Sequence, residues 1–122
     1  MPGIVPSETG FSHVVRAGGF LFLTSQLSAD LSTGRIIGGD IMTQARQALE
    51  NVKFLLASCG ATMDDIVKVN IYLRNTSDRQ KVNQVYREYF TKGQEPAKVT
   101  VQATSPIDGI DLEVEVTAAL PS

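Results

Sequence analysis

The sequence is poor in the residues that most enzymes borrow for chemistry: one cysteine, one histidine and no tryptophan in 122 positions. A disulfide within one chain needs two thiols, so Cys59 offers no such framework. Zinc sites draw on histidine and cysteine, and His13 with Cys59 alone excludes the usual protein zinc site. A serine–histidine–aspartate relay would have to recruit His13. Positive charge is not in excess either. Eleven Lys and Arg against thirteen Asp and Glu give a net charge of −2, whereas nucleic-acid binding draws most of its affinity from neutralising phosphates. Apolar runs stay far below the ~20 residues that span a bilayer, and MPGIVPSETG lacks the basic-then-apolar pattern of a secretory signal. The expectation is a cytoplasmic protein with neither nucleic-acid nor membrane partners.

What is present reads as one domain over 1-122, too small to divide. Residues 1-10, with two prolines and two glycines, read as an extended arm. A strand from Phe11 to Arg16, a turn at Gly18-Gly19 and the apolar run Phe20 to Ser25 predict a hairpin. Arg35 to Ile37 predicts a brief third strand. Asp40 is placed to cap a helix whose apolar stripe is Ile41, Ala45, Ala48, Leu49, Val52, Leu55, Leu56 and Cys59. Gly60 stands at its end, and Gln44, Arg46, Gln47, Glu50 and Lys53 form its solvated face. Val67, Val69, Ile71 and Leu73 alternate with polar residues as a strand. Ser77, with Gln80 three residues on, opens a second helix whose stripe is Val82, Val85, Tyr86, Tyr89 and Phe90. Two further alternating strands run through Val99–Ala103 and Leu112–Val116.

The order is β-β-(β)-α-β-α-β-β, an α+β domain with a five- to six-stranded mixed sheet and two helices on one face. Two helices cover only one side of such a sheet. The other side is expected to carry Lys98, Thr100, Gln102, Glu113 and Glu115, either wet or covered by another subunit. His13 reads as a surface strand residue.

Several segments, in order, match one family. The stretch FLFLTSQLSADLSTGRIIGGDIMTQARQALENVKFLLASCGATMDDIVKVNIYLRN, followed by VNQVYREYF, EPAKVTVQ and DLEVEVTAA, resembles the Rid/YjgF family of imine deaminases, also labelled the endoribonuclease L-PSP family. The resemblance implies a chorismate-mutase-like fold and a homotrimer with ligand clefts between subunits. It implies hydrolysis of 2-imino and enamine acids to 2-keto acids and ammonia, with no cofactor and no metal. The family arginine that holds the substrate carboxylate falls on Lys98, in Pro96-Ala97-Lys98. The glutamate that handles the attacking water falls on Glu113, so Glu113 and Lys98 are the catalytic pair the resemblance implies. Its substrate-binding positions fall on Lys98, Ser25, Gln26, Phe11, Asn83 and Thr100.

Departures gather at the cleft. Lysine lacks the planar fork of arginine; the T-S-G-Q loop reads Thr24-Ser25-Gln26 without its glycine; Phe11 stands where tyrosine is usual. Asn83 and Tyr86 are retained. Read without the family, Lys98 and Glu113 are solvated strand residues or an ion pair between neighbouring strands. The rival functions are a small-carboxylate-binding module without turnover and, third, an endoribonuclease.

Overall fold

The computed structural model describes residues 3–7 and 10–120. Val14–Ala17 (β1) and Phe20–Leu23 (β2) form the hairpin, with β1 starting later than expected. Gly18, at φ 59°, supplies the positive φ that a two-residue hairpin loop demands. The predicted strand at 35–37 is reduced to one bridge between Ala29 and Ile36, so the sheet has five strands. Within the arm, Val5 N–H donates to Leu31 O and Ile4 packs on the core, while 1–2 and 8–9 lie outside the described residues.

Ile41–Ser58 (α1) begins where Asp40 Oδ1 accepts the Thr43 N–H at 2.8 Å. Its apolar stripe is buried as read, with Cys59 partly buried at its end. Gln44 is a correction: it is fully buried rather than solvated. Its Nε2 donates to Gly39 O, and its Oε1 accepts the Asp111 N–H, both at 2.8 Å. Helical periodicity cannot register partners contributed by distant loops, and those partners are what make burial of an amide tolerable.

Ile66–Leu73 (β3) carries a register irregularity between Ile66 and Lys68. It buries Ile66 and leaves Val67 exposed, the reverse of the expected phase at that end. The second helix, Arg79–Tyr86 (α2), follows a 3-10 turn at Thr76–Asp78. The Ser77–Gln80 capping box therefore does not form, since Ser77 lies inside the preceding turn. Ala97–Gln102 (β4) and Leu112–Ala119 (β5) complete the sheet. Its order is β1-β2-β5-β3-β4, with β3 and β4 parallel and the remaining pairs antiparallel.

Both helices share one core with the sheet residues Leu21, Leu23, Val69, Ile71, Leu73, Leu112, Val114 and Val116. Registers then fix which residue faces which side. Tyr72 pairs with Glu113 and Asn70 with Glu115, so both glutamates lie on the open face, as expected. Lys98 pairs with Val69, Thr100 with Ile71 and Gln102 with Leu73, which places these three on the helix side instead. The open face receives Val99 and Val101, each 42% exposed. The expectation failed because β4 is an edge strand: its helix-side residues lie beyond the core, so the apolar alternation marks the other face.

Candidate functional site

Glu113 is the centre of one half of the site. Its Oε1 accepts the Ser25 hydroxyl and its Oε2 the Ser105 hydroxyl, each at 2.6 Å. Ser25 reaches it through a bulge. Phe22 pairs with Thr117 and Gln26 with Val114, so four steps along one strand match three along the other. The extra residue lets Phe22 and Ser25 both face the open side, where even spacing would turn one of them inward. Gln26 N–H then donates to Val114 O at 2.7 Å, and Gln26 O accepts the Val114 N–H at 2.8 Å, which locks the register. Ser105 is itself fixed, since its Oγ accepts the Ile107 N–H at 3.1 Å.

Beside this carboxylate lies a cavity of about 240 Å³, walled by Phe11, His13, Ser25, Leu31, Ile36 and Ile107 among others. Phe11 is exposed and stands edge-on to His13, with ring centroids 5.5 Å apart. His13 is not the surface strand residue expected: it precedes β1, and its Nδ1 is buried with no hydrogen-bond partner among the described residues. The Gln26 side chain is turned inward, where Nε2 donates to Thr24 O. Further along the open face, Glu115 Oε1 accepts from Asn70 Nδ2 at 3.0 Å and Tyr72 Oη at 2.9 Å. The Tyr72 hydroxyl is held above its ordinary pKa chiefly because it donates to Glu115, a bond only the protonated phenol can make, and then by burial and the nearby negative charge.

The other half lies across the sheet. Lys98 Nζ donates to Asn83 Oδ1 at 2.7 Å and sits 4.4 Å from the centre of the Tyr86 ring, a cation–π distance. Tyr86 stacks on Phe90 with centroids 4.5 Å apart, and burial pushes its phenol up to about 12. Asn83 and Tyr86 come from α2 and Lys98 from β4, with Pro96, Arg87, Lys92 and Glu95 completing a groove of about 540 Å³. Thr100 shares the face of Lys98, one pleat along.

The predicted residues thus divide into two groups. Phe11, Ser25 and Glu113 gather on one side, with Gln26 next in the chain but its side chain turned into the core, and Asn83, Lys98 and Thr100 gather on the other. Lys98 and Glu113 are neither paired nor adjacent, because β3 runs between their strands and they point from opposite faces. Ser105 was missed by the sequence reading. Its only signal was a Ser-Pro step before the turn into β5, which marks a turn and not its hydroxyl contact. Among the described residues no cluster of three His, Cys, Asp or Glu could hold a metal ion, and no helix is long and apolar enough to cross a membrane.

The chain matches the family model described as Endoribonuclease L-PSP over residues 4–120. It is 40% identical to a RutC family protein of Pyrococcus horikoshii over 88% of this chain and 85% of that one. It is 33% identical to a protein of Dermatophagoides farinae named 2-iminobutanoate/2-iminopropanoate deaminase, covering 92% of this chain and 88% of the other. Among solved structures, the Rid-family protein YyfA of Yersinia pestis superposes with a TM-score of 0.89 at 30% identity, over 97% of this chain and 94% of that one. With the mixed sheet, the two helices and the sequence match all in agreement, the chain belongs to the endoribonuclease L-PSP family, which includes the Rid and RutC proteins.

Proposed function

We propose that this protein hydrolyses small 2-imino and enamine carboxylic acids to 2-keto acids and ammonia, in a cleft completed by a second copy within a homotrimer. One observation carries the reading. Glu113 and Lys98 face opposite sides of one sheet, and Lys98 is held there by Asn83 and Tyr86. A single ligand meets both only if they come from different chains. The open face supports this, because it exposes Phe20, Phe22, Val99 and Val101, an apolar surface suited to a neighbouring copy. The relative named as a deaminase supports the substrate class.

In this reading Lys98 of one subunit holds the substrate carboxylate as a point charge. Across the interface, Glu113 holds the water. Each of its oxygens already accepts one serine hydroxyl, and a carboxylate oxygen has a second lone pair free for water. Water oxygen bonds to the imine carbon as the C=N π electrons move onto the protonated nitrogen, and Glu113 takes the proton that water sheds. The tetrahedral aminoalcohol then loses its hydroxyl proton to solvent while Glu113 protonates the amine. The C–N bond breaks, ammonia leaves with the bonding pair and the carbonyl forms. Ser25 and Ser105 keep the carboxylate oriented throughout, so that water and substrate meet in a productive pose.

The binding-module reading has one observation in its favour: the Lys98 ammonium is already engaged by Asn83 and cannot grip a carboxylate with two fixed donors. One experiment separates the two. 2-Iminopropionate is generated in situ by a dehydratase and its decay followed. The wild type accelerates decay, Glu113→Gln removes roughly a hundredfold or more of that rate, and Lys98→Ala raises KM. Assayed at substrate far below the raised KM, chains carrying Lys98→Ala and Glu113→Gln are each nearly silent alone and regain activity when refolded together, because roughly a quarter of mixed interfaces pair two intact halves. No regain in properly assembled mixtures removes the shared cleft. A wild type no faster than buffer, yet stabilised against heat by pyruvate, establishes the binding module instead.

A further inference from the structure

The substitution of lysine for the family arginine leaves a carboxylate anchor without a fork. We infer that Arg87 supplies the missing guanidinium, so that Lys98 and Arg87 together hold the ligand carboxylate in the groove between α2 and β4. The inference rests on the reading of Lys98 as the carboxylate anchor and adds a residue that neither the sequence pattern nor the family motif marks.

Arg87 follows α2 directly and keeps helical backbone angles, φ −61° and ψ −22°. It is therefore one turn beyond Asn83 and on the same side of the helix, the side that meets Lys98. Asn83, Arg87 and Lys98 line the same groove. Their occupations differ. Lys98 has given one donor to Asn83 and rests on the Tyr86 ring, which fixes its position but leaves only a point charge. The Arg87 guanidinium has no hydrogen-bond or ion-pair partner among the described residues, whereas Arg46 is paired with Glu88 and Arg74 with Asp111. The one acid lining the groove, Glu95, accepts the Gly93 N–H at the turn before β4.

Arg87 and Lys98 face one groove whose single lining acid, Glu95, forms no ion pair with either among the described residues, and the two cations repel each other until an anion enters between them. A carboxylate offers the geometry that uses both: one oxygen toward the ammonium and the two-oxygen edge toward the fork. The other positive groups fit less well. Lys92 lines the groove but has no fork, and Arg79 is near enough to act on Lys98 electrostatically yet is not part of the groove wall.

The test uses the full-length protein, with pyruvate as the carboxylate probe by calorimetry and 2-iminopropionate for kinetics. Arg87 is exposed, so its variants are expected to fold, which circular dichroism checks. Arg87→Ala is expected to weaken pyruvate binding about tenfold or more, as loss of a charge-assisted pair does, and to act mainly on KM rather than kcat. Arg87→Lys recovers little of this, because the fork and not the charge is lost. Lys98→Arg placed in the Arg87→Ala background restores binding. Pyruvate affinity unchanged in Arg87→Ala but weakened in Lys98→Ala overturns the inference and leaves the anchor role of Lys98 standing. A loss seen with oxaloacetate and not with pyruvate also overturns it, since Arg87 would then read a second acid group. Binding indifferent to both substitutions removes the anchor itself.

Discussion

At the scale of single residues, the groove makes Lys98 an unusual lysine. Partial burial, and after it the positive charges of Arg79 and Arg87, hold its ammonium below the ordinary pKa of a lysine. The charged form is the one that binds a carboxylate. In the proposed reading, the share of affinity that Lys98 contributes is therefore full below its pKa and is lost as pH rises through it, on the alkaline side but earlier than for a free lysine. Calorimetric titration of pyruvate between about pH 7 and 11 is expected to show this decline, and Lys98→Arg to abolish it over that range. An identical decline in Lys98→Arg would assign the titration to another group. The Tyr86 phenol, pushed up to about 12 by burial and then by Glu95, stays neutral through most of that window and does not obscure the result. The sequence supplied Lys98 and Glu113 as candidates. It also allowed them to pair, which the strand order excludes.

At the scale of elements, α1 was the most legible segment, because its apolar residues recur at helical spacing and an acidic cap precedes them. Its burial is also the easiest to test. Leu56 is completely buried, whereas Lys53 is exposed on the outer side of the same helix. Leu56→Ala is expected to lower unfolding free energy by about 2–5 kcal/mol, through lost transfer energy and the cavity left behind. Lys53→Ala should stay within about 0.5 kcal/mol. Urea denaturation at matched protein concentration measures both, and equal losses would contradict the assigned helix faces. The β2 exit was less legible. Thr24-Ser25-Gln26 reads as the end of a strand, but the bulge that aims Ser25 at Glu113 depends on where Gln26 rejoins Val114, some 88 residues away in the chain. Local pattern carries no information on that register.

For the whole molecule, the open face of the sheet is the surface on which the proposed assembly rests. It presents Phe20, Phe22, Val99 and Val101 beside Glu113 and Glu115. Apolar surface of this extent on one face is stabilised by covering it, and a copy of the same chain would also bring a second set of site residues. Val99→Asp, which places a charge on that face without touching the core, is expected to reduce the mass seen by light scattering from three chains to one. Imine turnover should be lost with it. A wild type that scatters as a single chain would remove the trimer, and a monomeric Val99→Asp with full activity would remove the intersubunit cleft.

The sequence by itself determined the order of the two helices and the five sheet strands, though not the loss of the brief strand at 35–37, together with the α1 stripe, the turn glycines and the scarcity of histidine and cysteine. These follow from local periodicity, backbone preference and composition. Only the tertiary structure decided which face each edge-strand residue takes, that Gln44 is buried and satisfied, and that Ser105 joins Ser25 on Glu113. It alone separated Lys98 from Glu113. Each of these depends on pairing between segments far apart in the chain, where the register is set by hydrogen bonds to a strand or loop that the local pattern does not contain.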